Sequence, residues 1–236
     1  MISRLLFNAI SLLLVGTASA GAETVSVGRA SINLPEGEWK VLTVSEGKTL
    51  LDGGVSGSLA MDDQAFVLTS GNDIKALLYV SSSKAGSGKT TYWTNTCDGN
   101  ARLFTISLTK NPNALECGKA TGPLKTDVYL KIAIPKVLAA VEDRRLVLPA
   151  IVQSTSATVG NSNGTSLHIN LLAVPAFTGL QSSESLTVPP LVKAVHAAWA
   201  RELTVAVKES VYSMSGKMTI PAITFAAPSG ITLTTK

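Results

Sequence analysis

The sequence predicts an α+β fold: an antiparallel β-sheet built from hairpins, with a short middle helix and a long C-terminal amphipathic helix packed on one face. Three observations carry that reading. Short β-rich runs recur, separated by clusters of Gly, Asn, Asp and Ser, which is how hairpins are punctuated. Pro189 and Pro190 stand before Leu191, Val195, Ala198, Trp199, Leu203, Ala206 and Val207, an apolar stripe with helical spacing. Between these regions, Pro135 opens a shorter run of helical period.

Taken in order, Val25 to Leu34 reads as one strand that ends at the Pro35-Glu36-Gly37 turn, and Trp39 to Val44 resumes an extended pattern. Asp52-Gly53-Gly54 with Gly57 marks a loop. Ala65 to Thr69 and Ile74 to Ser81 flank Ser70-Gly71-Asn72-Asp73 and form a first hairpin. Thr90 to Thr96 and Ala101 to Thr109 flank Asp98-Gly99 and suggest a second, with Phe104, Ile106 and Leu108 on one face. The Asn, Pro and Gly content of Asn111 to Pro123 reads as a loop. From Val128 to Glu142 two periods compete, since Val128, Leu130, Ile132 and Ile134 alternate as in a strand whereas Val137, Leu138 and Val141 follow a helix. The expectation is an extended stretch over 126–134, then a helix from about Pro135 to Arg145 that stops before Pro149. Ile151 to Val159 and Ser166 to Val174 flank Asn161-Ser162-Asn163-Gly164 as a third hairpin, with Leu167, Ile169 and Leu171 on one face and His168 and Asn170 on the other. The long helix runs to about Tyr212, Gly216 stops it, and Lys217 to Phe225 is expected to return to the sheet as an edge strand because of Pro221.

The first twenty residues belong to none of this. Arg4, the apolar stretch Leu5 to Val15 and the closing Ala18-Ser19-Ala20 have the three parts of a secretory signal with its cleavage site. The expected organisation is a signal peptide over 1–20 and one α+β domain over 21–236, located in the periplasm or secreted. No later window is apolar enough to span a bilayer. The net charge of +4 is thinly spread over 236 residues, and no basic stripe alternates with aromatics, so a nucleic-acid partner is not expected.

Cys97 and Cys117 are the only cysteines. In an exported chain they are expected to form a disulfide, which by the chain-entropy argument stabilises the fold by about 3 kcal/mol. With two Cys and two His in the whole chain, a Cys/His zinc site is excluded.

Other chemistry-bearing strings fail their own context. Ala85-Gly86-Ser87-Gly88-Lys89-Thr90 resembles a phosphate loop, but Ser83 stands where the first glycine belongs and strand formers follow where a helix must open. Gly54-Val55-Ser56-Gly57 misplaces the glycine of a nucleophile elbow, and S-x-x-K recurs without its companion K-T-G. Asp62-Asp63 lacks the spaced oxygens of a calcium loop, and Glu142-Asp143-Arg144-Arg145 reads as a solvated helix end. A hydrolase needs His168 or His196 as its base. Trp39, Trp93 and Trp199 either pack in the core or line a carbohydrate or lipid site.

Ser31-Ile32-Asn33-Leu34-Pro35-Glu36-Gly37-Glu38-Trp39 resembles the opening of PsbP-like domains, which share the fold class. Trp93-Thr94-Asn95-Thr96-Cys97-Asp98, with Cys117 downstream and the Pro35 to Trp39 phrase upstream, resembles a loose group of uncharacterised exported proteobacterial proteins. That resemblance implies export and a Cys97–Cys117 bridge, and it implies no activity.

The functional expectation is an exported, non-catalytic binding or interaction module of the cell envelope, with no cofactor or metal. Its partner is expected to be an envelope protein or a small apolar ligand held between sheet and helix. The alternative is a hydrolase with Ser, His and Asp drawn from separate loops.

Overall fold

The computed structural model describes residues 23–51, 57–86, 88, 90–93, 97, 103–111, 113–174, 190–222, 224–226 and 232–234. Residues 1–20, where a signal peptide is expected, the segment 52–56 and the expected turn at Asp98-Gly99 lie outside them.

A seven-stranded antiparallel sheet dominates. Its strands are β3 (Trp39–Leu50), β4 (Ser58–Ser70), β5 (Asp73–Ser83), β6 (Phe104–Ser107), β7 (Leu115–Lys125), β8 (Ile151–Gly160) and β9 (Ser166–Ala173). Their order across the sheet is β3-β4-β5-β9-β8-β7-β6. The chain therefore builds one half as a meander, crosses to the far edge between β5 and β6, and returns until β9 pairs with β5. The hairpins at Ser70-Gly71-Asn72-Asp73 and at Asn161 to Gly164 form as the turn chemistry predicts. Gly71 and Gly164 adopt the positive φ (59° and 76°) that those turns require. In the second turn the Asn161 side-chain oxygen also accepts the N–H groups of Asn163 and Thr165.

The long helix α3 (Pro190–Tyr212) packs on one face of this sheet, as expected. Trp199, Leu203, Val207 and Val211 meet the inward positions of the strands, Phe66, Leu78, Val80, Val159, Leu167 and Ile169. The approach is close at β7. A Cβ on Gly118 would collide with the Thr204 hydroxyl and stand 3.0 Å from both the Ala200 carbonyl oxygen and Ile106 Cγ2. A small three-stranded sheet, β1 (Thr24–Val27), β2 (Ala30–Asn33) and β10 (Lys217–Thr219), completes that layer through Val27, Ile32 and Met218.

Two short helices, α1 (Thr126–Ala133) and α2 (Pro135–Asp143), cover one end of the opposite face. Their residues Leu130, Val137 and Val141 pack with Leu42, Val67, Leu77, Val152 and Leu172. The α+β class is thus as the sequence predicts, with helices on both faces of the sheet. From α2, Lys136 reaches the Glu46 carbonyl and Arg144 donates to the Val41 carbonyl at 2.7 Å, both on strand β3.

Five expectations need correction. Val25 to Leu34 is not one strand: Gly28, at φ 53°, lets the chain turn tightly between β1 and β2. Thr90 to Trp93 is in no strand, and the partner of β6 is β7. The supposed loop Asn111 to Pro123 contributes most of β7. Its Gly118 makes room for α3, and Gly122-Pro123 sit where the pairing with β8 shifts register. Residues 126–134 form helix α1, with Leu130 buried and Val128 and Ile132, four residues apart, exposed together. Finally, Lys217 to Phe225 does not rejoin the large sheet. β10 lies parallel to β2, and β11 (Thr224–Ala226) pairs with β12 (Thr232–Thr234).

Candidate functional site

Beyond the end of α1 and α2, the same face of the large sheet is open and forms a cavity of about 450 Å³. Strand alternation supplies its floor. Ser81, His168, Thr158 and Cys117 stand side by side on β5, β9, β8 and β7. The neighbouring row brings Tyr79, Ser156 and Lys119, and Ser166, Thr49, Met61 and Leu115 complete the wall. The predicted outward direction of His168 is therefore correct, and the surface it faces is this cavity. Asn170 faces the same way and is buried under α1, where it bonds to Ser154 and to the Tyr129 hydroxyl.

The roof comes from the described residues Tyr92 and Trp93, which lie in sequence between β5 and β6. Thr91 N–H donates to the Ser162 carbonyl at 2.8 Å, and Trp93 Nε1 donates to the Asn161 carbonyl at 3.0 Å. Both acceptors belong to the β8–β9 turn, so the turn fastens the strap. The indole then wedges between Leu51, Leu59 and Met61 on one side and Cys97, Leu115 and Cys117 on the other. Gly160 permits the contact, since a Cβ there would lie 2.6 Å from Trp93 Cε2 and 2.8 Å from Cη2. Cys97 and Cys117 form the predicted disulfide pair, with Cα atoms 5.4 Å apart, and tie the strap to β7 in the cavity wall.

The electrostatics of the site are dominated by burial. Desolvation holds the His168 imidazole down to about 4, with the Lys119 charge assisting and the Asp63 charge opposing. The ring is neutral at pH 7, and its Nδ1 lies 2.7 Å from the Thr158 hydroxyl oxygen. Its centroid is 6.1 Å from that of Tyr79. Tyr79 is pushed up to about 12, first by burial and then by the charge of Asp63, to which its hydroxyl donates. At neutral pH the floor thus combines uncharged hydroxyls and one uncharged imidazole with Lys119, the cross-strand partner of Ser156, while Asp63 stands beside Ser81 at the other end of the His168 row.

The remaining sequence candidates fall elsewhere. His196 is buried within α3, on the other side of the sheet. Trp39 and Trp199 are core residues whose indole N–H groups donate to the Pro35 and Pro221 carbonyls. Asp62 pairs with Lys84 at 3.3 Å. Among the described residues no three His, Cys, Asp or Glu side chains group as metal ligands, and no helix is long and apolar enough to cross a membrane. The Gly/Ser string after Ser83 leads into the strap and not into a helix, so it lacks the anion site of a phosphate loop; its Ser87 and Lys89 lie outside the described residues.

Sequence reasoning missed Tyr79, Ser81, Ser156, Thr158 and Ser166 as site residues. The available signal was the alternate hydroxyl side chains Tyr79 and Ser81 on β5 and Ser154, Ser156 and Thr158 on β8. Compared with models of protein families, curated proteins and solved structures, the chain matches none.

Proposed function

We propose that the mature chain is an exported, non-catalytic binding module of the cell envelope, and that it holds a small polar ligand in the cavity beneath the Trp93 strap. One observation carries this reading: a cavity whose floor gathers several hydroxyls with His168 and Lys119 and whose roof is held in place by two hydrogen bonds and a disulfide. A rigid concave site with several convergent polar groups and an aromatic wall has the general anatomy of a small-molecule site. The face under α3, where an apolar ligand was expected, is filled by Trp199, Leu203 and Val207. The disulfide and the N-terminal leader support export.

The test is a thermal-shift screen of a metabolite library against the mature chain and against Ser156→Trp, which fills the cavity from its floor. A ligand at 100 times its Kd stabilises the native state by about 2.7 kcal/mol. Hits that stabilise the parent and not the filled variant are expected. Hits indifferent to the substitution, or no hits, overturn the proposal.

A hydrolase is the second reading, favoured by the Thr158–His168 contact in the cavity wall. Against it, Asp63 acts on the imidazole through its charge, and its charge also bears on Tyr79. Turnover of 4-nitrophenyl esters that disappears in both Thr158→Ala and His168→Gln would establish hydrolysis and displace the binding reading.

A further inference from the structure

We infer that the ligand is a saccharide, bound with its hydroxyls on the sheet floor and one C–H face against the aromatic strap. The inference rests on the binding reading above and specifies its ligand class.

The argument begins with what the floor demands of an occupant. Ser81, Ser156, Thr158, Ser166 and Thr49 are hydroxyls, each able to donate one hydrogen bond and accept two. The hydroxyls themselves select no sign of charge and suit a molecule that carries many hydroxyls, with Lys119 beside them in the lining and Asp63 next to Ser81. An apolar chain would cover the same groups without replacing their water, at about 1–3 kcal/mol for each hydroxyl left unpaired. The imidazole among them is uncharged at neutral pH and so adds one more donor-or-acceptor position. The ionisable groups facing it are Lys119 and Asp63, from β7 and β4, with Tyr79 beside it on β5.

The second element is aromatic. Tyr92 and Trp93 are adjacent on the strap, and both line the cavity. Trp93 is wedged and half-buried, whereas Tyr92 is 51% exposed and is the ring open to an incoming molecule. A broad, stiff ring with a polar tip, opposite a hydroxyl-lined floor, presents complementary surfaces to the two faces of a pyranose: C–H groups to the ring, hydroxyls to the sheet. A cavity of about 450 Å³ lies toward the small end of ligand sites and suits one or two sugar rings.

Isothermal titration calorimetry of the mature chain decides the matter with five probes: cellobiose, maltose and N,N′-diacetylchitobiose as saccharides, citrate as a polyanion and laurate as an apolar ligand. At least one disaccharide is expected to bind saturably. Tyr92→Ala, which removes an exposed side chain and leaves the core untouched, should weaken that binding about tenfold, and Ser156→Trp should abolish it. Saturable binding of citrate with silent saccharides overturns the saccharide class and leaves the binding reading standing. The same holds when the library screen yields a polar cavity ligand of another class. Saturable binding of laurate alone overturns the polar ligand of the binding reading as well. Saccharide binding that survives Ser156→Trp places the ligand elsewhere and overturns the inference. Silence of all five probes together with an empty library screen overturns the binding reading itself.

Discussion

Gly160→Ala is the sharpest test of how the site is closed. The added methyl would stand 2.6 Å from Trp93 Cε2 and 2.8 Å from Cη2, where ordinary contacts begin near 3.5 Å, so the ring must retreat by about 1 Å. The backbone of β8 cannot give way, because it is paired on both sides, with β7 and β9. Retreat of the indole strains or breaks its bond to the Asn161 carbonyl, a loss of about 1 kcal/mol. It also loosens contact with Leu51, Leu59, Met61 and Leu115, about another 1 kcal/mol for a side chain that is only half-buried. The expected cost is about 2 kcal/mol, or roughly 4–8 °C in Tm for a chain of this size. Urea unfolding measures it, with a red shift in tryptophan emission as a second signal, since Trp39 and Trp199 are buried away from the change. The control is the Trp93→Ala background, in which the methyl meets no ring. There the same substitution should be neutral, or stabilising by up to about 1 kcal/mol through the unfolded chain. An equal cost in both backgrounds would refute the proposed wedge.

Other outcomes follow from the same geometry. His168 has its folded pKa below its unfolded value, so between pH 4 and 6.5 the unfolded chain binds a proton that the fold does not. Its contribution is complete above about pH 6.5 and lost as pH falls through 4, a change of roughly 3 kcal/mol that His168→Gln should remove from the pH dependence of urea unfolding; superimposable slopes would count against it. Replacing Cys97 and Cys117 by Ser should cost about 3 kcal/mol, because the pair closes a loop with a sequence separation of 20, and the reductant sensitivity of the parent's Tm should vanish in the variant. Lys208→Met strips the partner, 2.9 Å away, from the buried Glu116 carboxylate and should cost about 2–3 kcal/mol. Adding Glu116→Gln should recover more than half of that loss, and a double variant no more stable than the single one would show that the carboxylate is not the source.

What was legible in the sequence is what short-range chemistry decides. The turn at Gly71, the turn from Asn161 to Gly164 and the burial of Trp199, Leu203 and Val207 in α3 each depend on residues within one element and follow from it, whereas Leu191 and Ala198 of the same stripe are exposed and His196 and Thr204 are buried. Strand β7 was missed because a strand pressed against a helix backbone needs glycine where a solvated loop would also have it. Gly118 therefore misled until Thr204, 86 positions away, was in view. In α1 the apolar residues Val128 and Ile132 face outward, so the pattern did not reflect burial. For the site, the orientation of His168 was legible, since alternation within β9 settles it. Its company was not: Ser81, Thr158 and Cys117 join it only because β9 inserts between β5 and β8, a pairing that no local pattern encodes.

The bonds from α2 to β3 have a consequence for solubility. Among the described residues β3 is the long border of the sheet, twelve residues with a strand partner on one side, and an unpaired border of that length is a template for another chain. Arg144 and Lys136 occupy the Val41 and Glu46 carbonyls, so a foreign strand would have to displace two cations before it could zip on. The opposite border is β6, only four residues long, which offers such a strand little to pair with. A change that loosens α2 would thus be felt first as concentration-dependent association along β3, before the core or the cavity is disturbed.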